Sequence, residues 1–323
     1  MNLTDGKEYW KTTLSNYDSE GTMIDFKGKV AIVTGAGVGL GRSHAIALAK
    51  KGCKVVVNDL GGSTDGVGAS QDAAGMVVES IKNAGGEAVA DYSDVTNRDA
   101  VTTMVASTVK RWGKIDILIN NAGILRDKTF AKGSLDDFSK VIDVHLMGTA
   151  NCTKAVWGIM KEQGYGRIVV TSSSSGLYGN FGQSNYGAAK MGVVGLMNTL
   201  RFEGAKYNIK VNALAPTAAT RMTEGLLSDE ALSNLSPEVV SAGVLFLVSE
   251  EAPNGQILCA GAGCFAITRM VETQGVYLGA QPTAEMVRDN WDQVVAAENQ
   301  RDLAHGGEQG AKFLAMVNEK TIL

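Results

Sequence analysis

A doubly wound parallel α/β sheet of about seven strands, with a helical extension at its C-terminal end, is the fold this sequence predicts. Three observations lead there. From Lys29 onward, short β-rich runs alternate with helical segments; a glycine-rich turn directly follows the first run; and the strand pattern stops after about Phe265. Runs this short and apolar suit strands buried on both faces, and strand–helix alternation means a parallel sheet covered on both sides.

The strands are read in order as Val30 to Thr34, Lys54 to Asn58, Ala88 to Tyr92, Ile115 to Asn120, Arg167 to Thr171, Ile209 to Leu214 and Gln256 to Ala260. Thr96 with Asp99 resembles a capping box, and Ser236-Pro237-Glu238 sets an N-cap before a proline at the first helical position. Gly61 to Gly68 is a loop. The apolar segment Val239 to Val248 packs either on the sheet or on another subunit. Beyond the last strand, Thr283 to Val295 reads as one amphipathic helix with Met286, Val287, Trp291, Val294 and Val295 turned inward. Residues 1–22 are polar and precede a second methionine, Met23, so a flexible extension or leader is expected there. Residues 23–265 then form the main domain and 266–323 the helical extension.

Composition narrows the function. With 323 residues, 45% of them hydrophobic, and 39 glycines, a sizeable packed core is affordable. A net charge of -4 offers no basic footprint for nucleic acid. No apolar stretch approaches the ~20 residues of a membrane span, and the first residues lack a basic-then-apolar signal, so the expected location is the cytoplasm. Cys53, Cys152, Cys259 and Cys264 show no metal-ligand spacing and are expected as buried thiols, with no metal site.

Thr34-Gly35-Ala-Gly-Val-Gly39-Leu-Gly41 follows the first strand and enters a helix. In that position glycine lets backbone amides approach a pyrophosphate, and the helix start favours negative charge, so Gly35, Val38, Gly39 and Leu40 are expected at a dinucleotide. Asp59 ends the second strand, where an acid holds ribose hydroxyls and repels a 2′-phosphate. No Lys or Arg lies between Ala36 and Leu40 or just after Asp59, which favours NAD over NADP. Asp94 and Val95 are expected at the adenine edge, with Asp94 as a plain turn residue the alternative. Asn121, Ala122 and Gly123 are expected along the cofactor.

Tyr186 and Lys190 are four residues apart, so they share one helix face. A phenol ordinarily titrates near ~10, and a neighbouring ammonium that favours phenolate suits it to proton exchange nearer neutrality. Ser173, thirteen residues before Tyr186, can offer a hydroxyl to a substrate oxygen. Tyr-x-x-x-Lys alone is a common surface pair; its meaning comes from the nucleotide turn upstream.

In this order, Thr34 to Gly41, Asn120-Asn-Ala-Gly123, Ser173 and Tyr186-x-x-x-Lys190 resemble the short-chain dehydrogenase/reductase family over about residues 28 to 263. Val56-Val-Asn-Asp-Leu-Gly-Gly62, Asn120 to Asp127, Gly176 to Gln183, Arg221-Met-Thr223 and Thr283 to Trp291 are similar to one subfamily. It comprises the (3R)-hydroxyacyl-CoA dehydrogenase segments of type 2 peroxisomal multifunctional enzymes, also called 17β-hydroxysteroid dehydrogenases. The resemblance implies a Rossmann-type sheet, bound NAD, and a homodimer or homotetramer. It casts Tyr186 as proton acceptor in oxidation and donor in reduction, Ser173 as support for the reacting oxygen, and Lys190 as holder of the nicotinamide ribose.

His145 stands where most of the family has a relay asparagine, and it is either part of a proton path titrating near neutrality or a core residue. Phe181, as an apolar wall, and Gln183 fall near the reacting carbon. Pro216 and Thr217 lie where the family has a Pro-Gly turn beside the carboxamide. Arg126 and Asp127 either shape the substrate mouth or pair with each other. The implied substrate is a (3R)-hydroxyacyl-CoA or its 3-oxoacyl-CoA, sterol thioesters included. Free hydroxysteroids or other secondary alcohols are the alternative, followed by an acyl-carrier-protein reductase or a non-catalytic dinucleotide sensor.

Overall fold

The structure is a computed structural model describing residues 23–218 and 235–321. The expected leader at 1–22 and the Arg221-Met-Thr223 segment lie outside the described residues. The chain divides into two compact units, one ending at Phe265 and one starting at Ala266.

The first unit follows the predicted alternation: β1 (Val30–Thr34), α1 (Gly39–Lys50), β2 (Lys54–Asn58), α2 (Asp72–Asn83), β3 (Glu87–Asp91), α3 (Arg98–Trp112) and β4 (Ile117–Asn120). Then come α4 (Leu135–Ile142), a π-helical turn (Asp143–Met147), α5 (Gly148–Gln163), β5 (Gly166–Thr171), α6 (Ser174–Tyr178), α7 (Ser184–Ala205) and β6 (Ile209–Pro216). The unit closes with α8 (Pro237–Leu247), β7 (Ile257–Gly261) and the start of β8 (Cys264–Thr268). Strand order is β3-β2-β1-β4-β5-β6-β7-β8, and β1 to β7 pair in parallel. The order reverses between β1 and β4, the place where α/β sheets open a crevice beyond their strand ends. Pairing of Thr34 with Asn58, Asn58 with Asp91 and Val33 with Ile119 brings the ends of β1 to β4 to one edge.

Helices cover both faces because the strands are apolar throughout. Leu48 of α1, Val77 of α2 and Val244 of α8 pack on one face, and Met104 of α3, Val156 of α5 and Met197 of α7 on the other. Burying each such side chain stabilises by roughly 1.5–3 kcal/mol. The apolar segment around α8 therefore covers its own sheet, and the Ser241 hydroxyl ties it to Ser43 (2.8 Å) and His44 (2.7 Å) of α1. Burial pushes His44 down to about 3.

Several local expectations are corrected. The N-cap of α3 is Asn97, not Thr96: Asn97 Oδ1 accepts from the amides of Asp99 and Ala100, each at 3.1 Å, while the Thr96 hydroxyl donates to Asp94. Removing that cap in Asn97→Ala should cost about 1 kcal/mol, read as a lower urea midpoint with an unchanged slope. An eighth strand, Cys264–Thr268, follows the seven expected; its residues are mostly exposed, so no buried apolar run announces it. Cys264 is exposed and Cys259 half-buried, against the expectation, whereas Cys53 and Cys152 are buried. Burial pushes the Cys152 thiol up to about 12.

The second unit contains a two-stranded antiparallel ribbon, β9 (Val271–Glu272) with β10 (Arg301–Asp302), beside α9 (Ala284–Asp289), α10 (Trp291–Val295) and α11 (Gly306–Thr321). The extension is thus not purely helical. The helix expected across Thr283 to Val295 breaks at Asn290, whose side-chain amide donates to the Met286 carbonyl at 2.8 Å alongside its own backbone amide at 3.2 Å. Met286, Val287, Trp291 and Val295 are exposed instead of inward. Lys312 is buried, pairs with Glu272 and donates to the Thr273 carbonyl at 2.8 Å.

Candidate active site

The first half of the site grows from the turn between β1 and α1. α1 starts at Val38 with no side-chain cap and no acidic residue in its first turn, so first-turn amides are left for an anion. The turn is tight: a β-carbon at Gly41 would collide with the Gly35 carbonyl oxygen, and one at Gly37 would sit 2.8 Å from Asp59 Oδ2. Asp59 is fixed by the amides it accepts from, Gly37 and Gly61, both at 2.7 Å. Asn121 closes the other side, its side-chain amide donating to the carbonyls of Thr34 (3.1 Å) and Gly35 (3.0 Å).

These turns surround a cavity of about 200 Å³ that is partly open to solvent. Gly35, Val38, Gly39, Leu40, Asp59, Asp94, Val95, Asn121, Ala122 and Gly123 all line it. Asp94 has a second use, since Oδ1 accepts from both the amide and hydroxyl of Thr96 at 2.8 Å. A glycine-built turn, an uncapped helix start and a fixed carboxylate suit a phosphate-bearing ribose ligand, so these residues fit a dinucleotide.

The second half lies at the end of β5 and on α7. Ser173 caps α6, its Oγ accepting from the Ser175 amide at 3.2 Å, and its side chain is hydrogen-bonded to the Tyr186 phenol. Lys190 is buried one turn beyond Tyr186 and donates to the Thr171 carbonyl at 2.6 Å, its Nζ 5.5 Å from the Tyr186 ring. Burial pushes Lys190 down to about 7 and Tyr186 up to about 12; the Ser173 bond partly offsets the latter, and Asp127 adds to it. The expected lowering of the phenol by a neighbouring ammonium is therefore reversed in this state. Withdrawal from water dominates at the phenol, and the same withdrawal weakens the lysine's hold on its proton.

His145 sits in the π-helical turn, a distortion that often marks functional positions in helices. Its ring meets Tyr186 edge-on at 5.1 Å, and Nε2 lies 2.7 Å from the Ile124 carbonyl oxygen and 3.0 Å from its amide. Nδ1 is buried without a partner among the described residues. Burial, then the nearby Lys190, pushes His145 well below its ordinary range, so it does not titrate near neutrality as expected. Ile124 joins the two halves: it lines the cavity and packs in one cluster with Tyr186.

Other expected contacts fall elsewhere. Tyr186, Lys190, Pro216 and Thr217 are not among the residues lining the cavity, and the Thr217 amide donates to the Ala260 carbonyl at 2.8 Å. Phe181 is 89% exposed and walls nothing off. Gln183 is engaged at both ends, accepting from Ser175 Oγ (2.7 Å) and donating to Asp127 (2.6 Å). Arg126 and Asp127 do not pair with each other: Arg126 binds Asp137 at 2.8 Å. Sequence reasoning missed Leu60, Thr64, Ile124, Lys140 and Val144 in the lining. The glycine-rich stretch after Asp59 was a signal for the first two; the last two come from a helix whose cavity-facing side has no marker.

The model of the family described as short chain dehydrogenase matches residues 29–231. The chain belongs to the short-chain dehydrogenase family. This oxidoreductase is 46% identical, over 92% of its length, to peroxisomal multifunctional enzyme type 2 of Drosophila melanogaster, and spans about half of that relative, 50%. The solved structure of the full-length Drosophila enzyme superposes with a TM-score of 0.77 at 39% identity, covering 92% of this chain and 50% of the other. A 7α-hydroxysteroid dehydrogenase solved with NADH and 7-oxo glycochenodeoxycholic acid gives a TM-score of 0.66 at 29% identity, covering 74% of this short-chain dehydrogenase and 95% of that chain.

Proposed function

We propose that the chain is an NAD-dependent dehydrogenase interconverting a (3R)-hydroxyacyl-CoA and its 3-oxoacyl-CoA, sterol-derived thioesters among them. The observation that carries this substrate class is the match across 92% of the chain to a multifunctional enzyme of type 2, whose dehydrogenase segments the sequence resembles. Asp59 supports NAD over NADP, because its carboxylate faces the cavity already fixed by two amides and would repel a 2′-phosphate.

Gly35, Val38, Gly39, Leu40, Asp59, Asp94, Val95, Asn121, Ala122 and Gly123 hold the dinucleotide in this reading, with Tyr186, Lys190, Pro216 and Thr217 at its nicotinamide end. When bound, NAD supplies the hydride acceptor and its reduced form the donor. Tyr186 does the proton work. With its phenol near 12, the hydroxyl is protonated at neutral pH and ready to donate during reduction. Lys190, near 7, exchanges protons at that pH and is placed to restore the tyrosine's proton, or to help remove it during oxidation. Ser173, hydrogen-bonded to Tyr186, steadies the reacting oxygen. His145, held neutral, positions Ile124 through the one hydrogen bond its Nε2 makes there, to the carbonyl or from the amide according to the tautomer, and extends the proton path. Gln183 supports Ser175 next to Ser173.

A second reading, oxidation of free hydroxysteroids, is favoured by the likeness to the 7α-hydroxysteroid dehydrogenase. Turnover of (3R)-hydroxyacyl-CoA esters, sterol thioesters and the matching free alcohols, each with NAD and NADP, separates the two. The leading proposal expects the thioesters with NAD to give the highest kcat/KM, and activity confined to free alcohols would reject it. The proposed assembly is a homodimer or homotetramer, which light scattering resolves. The proposed location is the cytoplasm, although the multifunctional relatives are named peroxisomal; fractionation of cells producing the full chain decides.

A further inference from the structure

Lys140 is the sole cation among the described residues lining the dinucleotide cavity, whose acids are Asp59 and Asp94. It is half-buried, and its ammonium makes no hydrogen bond or ion pair among the described residues. Asp137, one turn earlier on α4, is taken by Arg126 at 2.8 Å and Lys128 at 3.5 Å. A role at a helix end does not explain Lys140 either. Helical backbone continues through Ile142 and Asp143 to Gly148, so α4 has no free C-terminal carbonyls for a cation to satisfy.

Its place in the cavity follows from its neighbours. Val144, four residues on, also lines the cavity, and Gly148, four further, presses against Val95, where a β-carbon would meet Val95 Cγ2 at 2.6 Å. Lys140 thus stands about 12 Å along the helix axis from the Val95 contact. That end of α4 lies beside the loop after Asp59, because Arg126, bound to Asp137, also donates to the Asp65 carbonyl at 3.0 Å. Asp59 suits ribose hydroxyls and Asp94 with Val95 suits adenine. The remaining anionic part of a dinucleotide is its pyrophosphate, for which the start of α1 offers amides, while its one cationic side chain, Arg42, lines a different cavity.

Building on the dinucleotide reading above, we infer that Lys140 binds the pyrophosphate of NAD from α4, supplying the counter-charge that the glycine turn lacks. The residue reaches the cavity from about a hundred positions beyond that turn. It also means that the cavity holds a basic group after all, directed at the phosphates shared by NAD and NADP.

The test is calorimetric binding of NAD, ADP-ribose, adenosine and NADP to the parent, Lys140→Gln and Lys140→Arg. Loss of one charge-assisted contact predicts NAD and ADP-ribose binding about tenfold weaker in Lys140→Gln, with a shallower salt dependence. Adenosine binding should not change, and Lys140→Arg should recover most of the loss. Equal affinities in parent and Lys140→Gln would overturn the assignment. So would a loss confined to NADP, which would move the lysine to a 2′-phosphate, or an equal loss for adenosine, which would mean a general collapse of the cavity. A parent that binds neither NAD nor ADP-ribose would instead refute the dinucleotide reading on which this inference rests.

Discussion

Tyr186→Phe is expected to lower turnover by about 10²–10⁴-fold in both directions while leaving NAD affinity within about twofold. The substitution removes one oxygen from a half-buried ring and keeps the ring's edge-on contact with His145 and its packing beside Ile124 and Ala189. Tyr186 does not line the cavity at the glycine turn, and its hydroxyl is one contact among the many proposed for the dinucleotide, so affinity should change far less than turnover. Ser173 loses its phenol partner but keeps the Ser175 amide, which holds Oγ in place. Single-turnover rates with bound cofactor, set beside calorimetric NAD binding, separate the two effects. A variant turning over at the parental rate would mean that another group handles the proton, and an equal loss of NAD binding would make the tyrosine a binding residue first.

How far the sequence reaches depends on the kind of information each element carries. β1 and β2 are legible to the residue because Val30 to Thr34 and Lys54 to Asn58 are bounded apolar runs buried by helices on both sides. The cavity at the glycine turn is legible for a different reason: Gly41 and Gly37 are forced by close approach, and Asp59 stands at a strand end. Cys264–Thr268 is hidden because an exposed edge segment has no solvent-driven pattern to read. Asn290 looks like an ordinary polar position in a helical stripe, and nothing local marks it as the place where the helix breaks. Asn97 and Thr96 are both competent caps by residue type; the choice falls to Asn97 because Asp94 claims the Thr96 hydroxyl. Lys140 and Val144 need the fold before they mean anything, since no local rule tells which side of α4 faces a cavity. The proton balance is the hardest part to foresee. Spacing identifies Tyr186 and Lys190, but whether charge or burial controls them depends on how much water the folded chain excludes.

That exclusion makes Lys190 a burden on stability with a definite sign. The folded lysine titrates near 7 against an ordinary value of 10.5, so across that window the unfolded chain holds a proton that the native chain has released. Stability rises with pH wherever the unfolded state binds more protons; the penalty is therefore fully present below about pH 7 and is relieved as pH climbs toward 10.5. In Lys190→Met this dependence disappears. Urea titrations at about pH 7 and about pH 9 should show the parent gaining ~2 kcal/mol relative to the variant over that interval. Near pH 6 the variant should be the more stable protein, even though the Thr171 carbonyl loses its 2.6 Å donor at a cost of ~1–3 kcal/mol. Turnover should fall by about 10²-fold or more, because the group that exchanges protons with Tyr186 is gone. The same side chain then limits stability and sustains catalysis, so the two measurements must move in opposite directions at acid pH. Identical pH slopes for parent and variant would mean that the lysine keeps its proton throughout and that its proton exchange near neutrality is wrongly assigned.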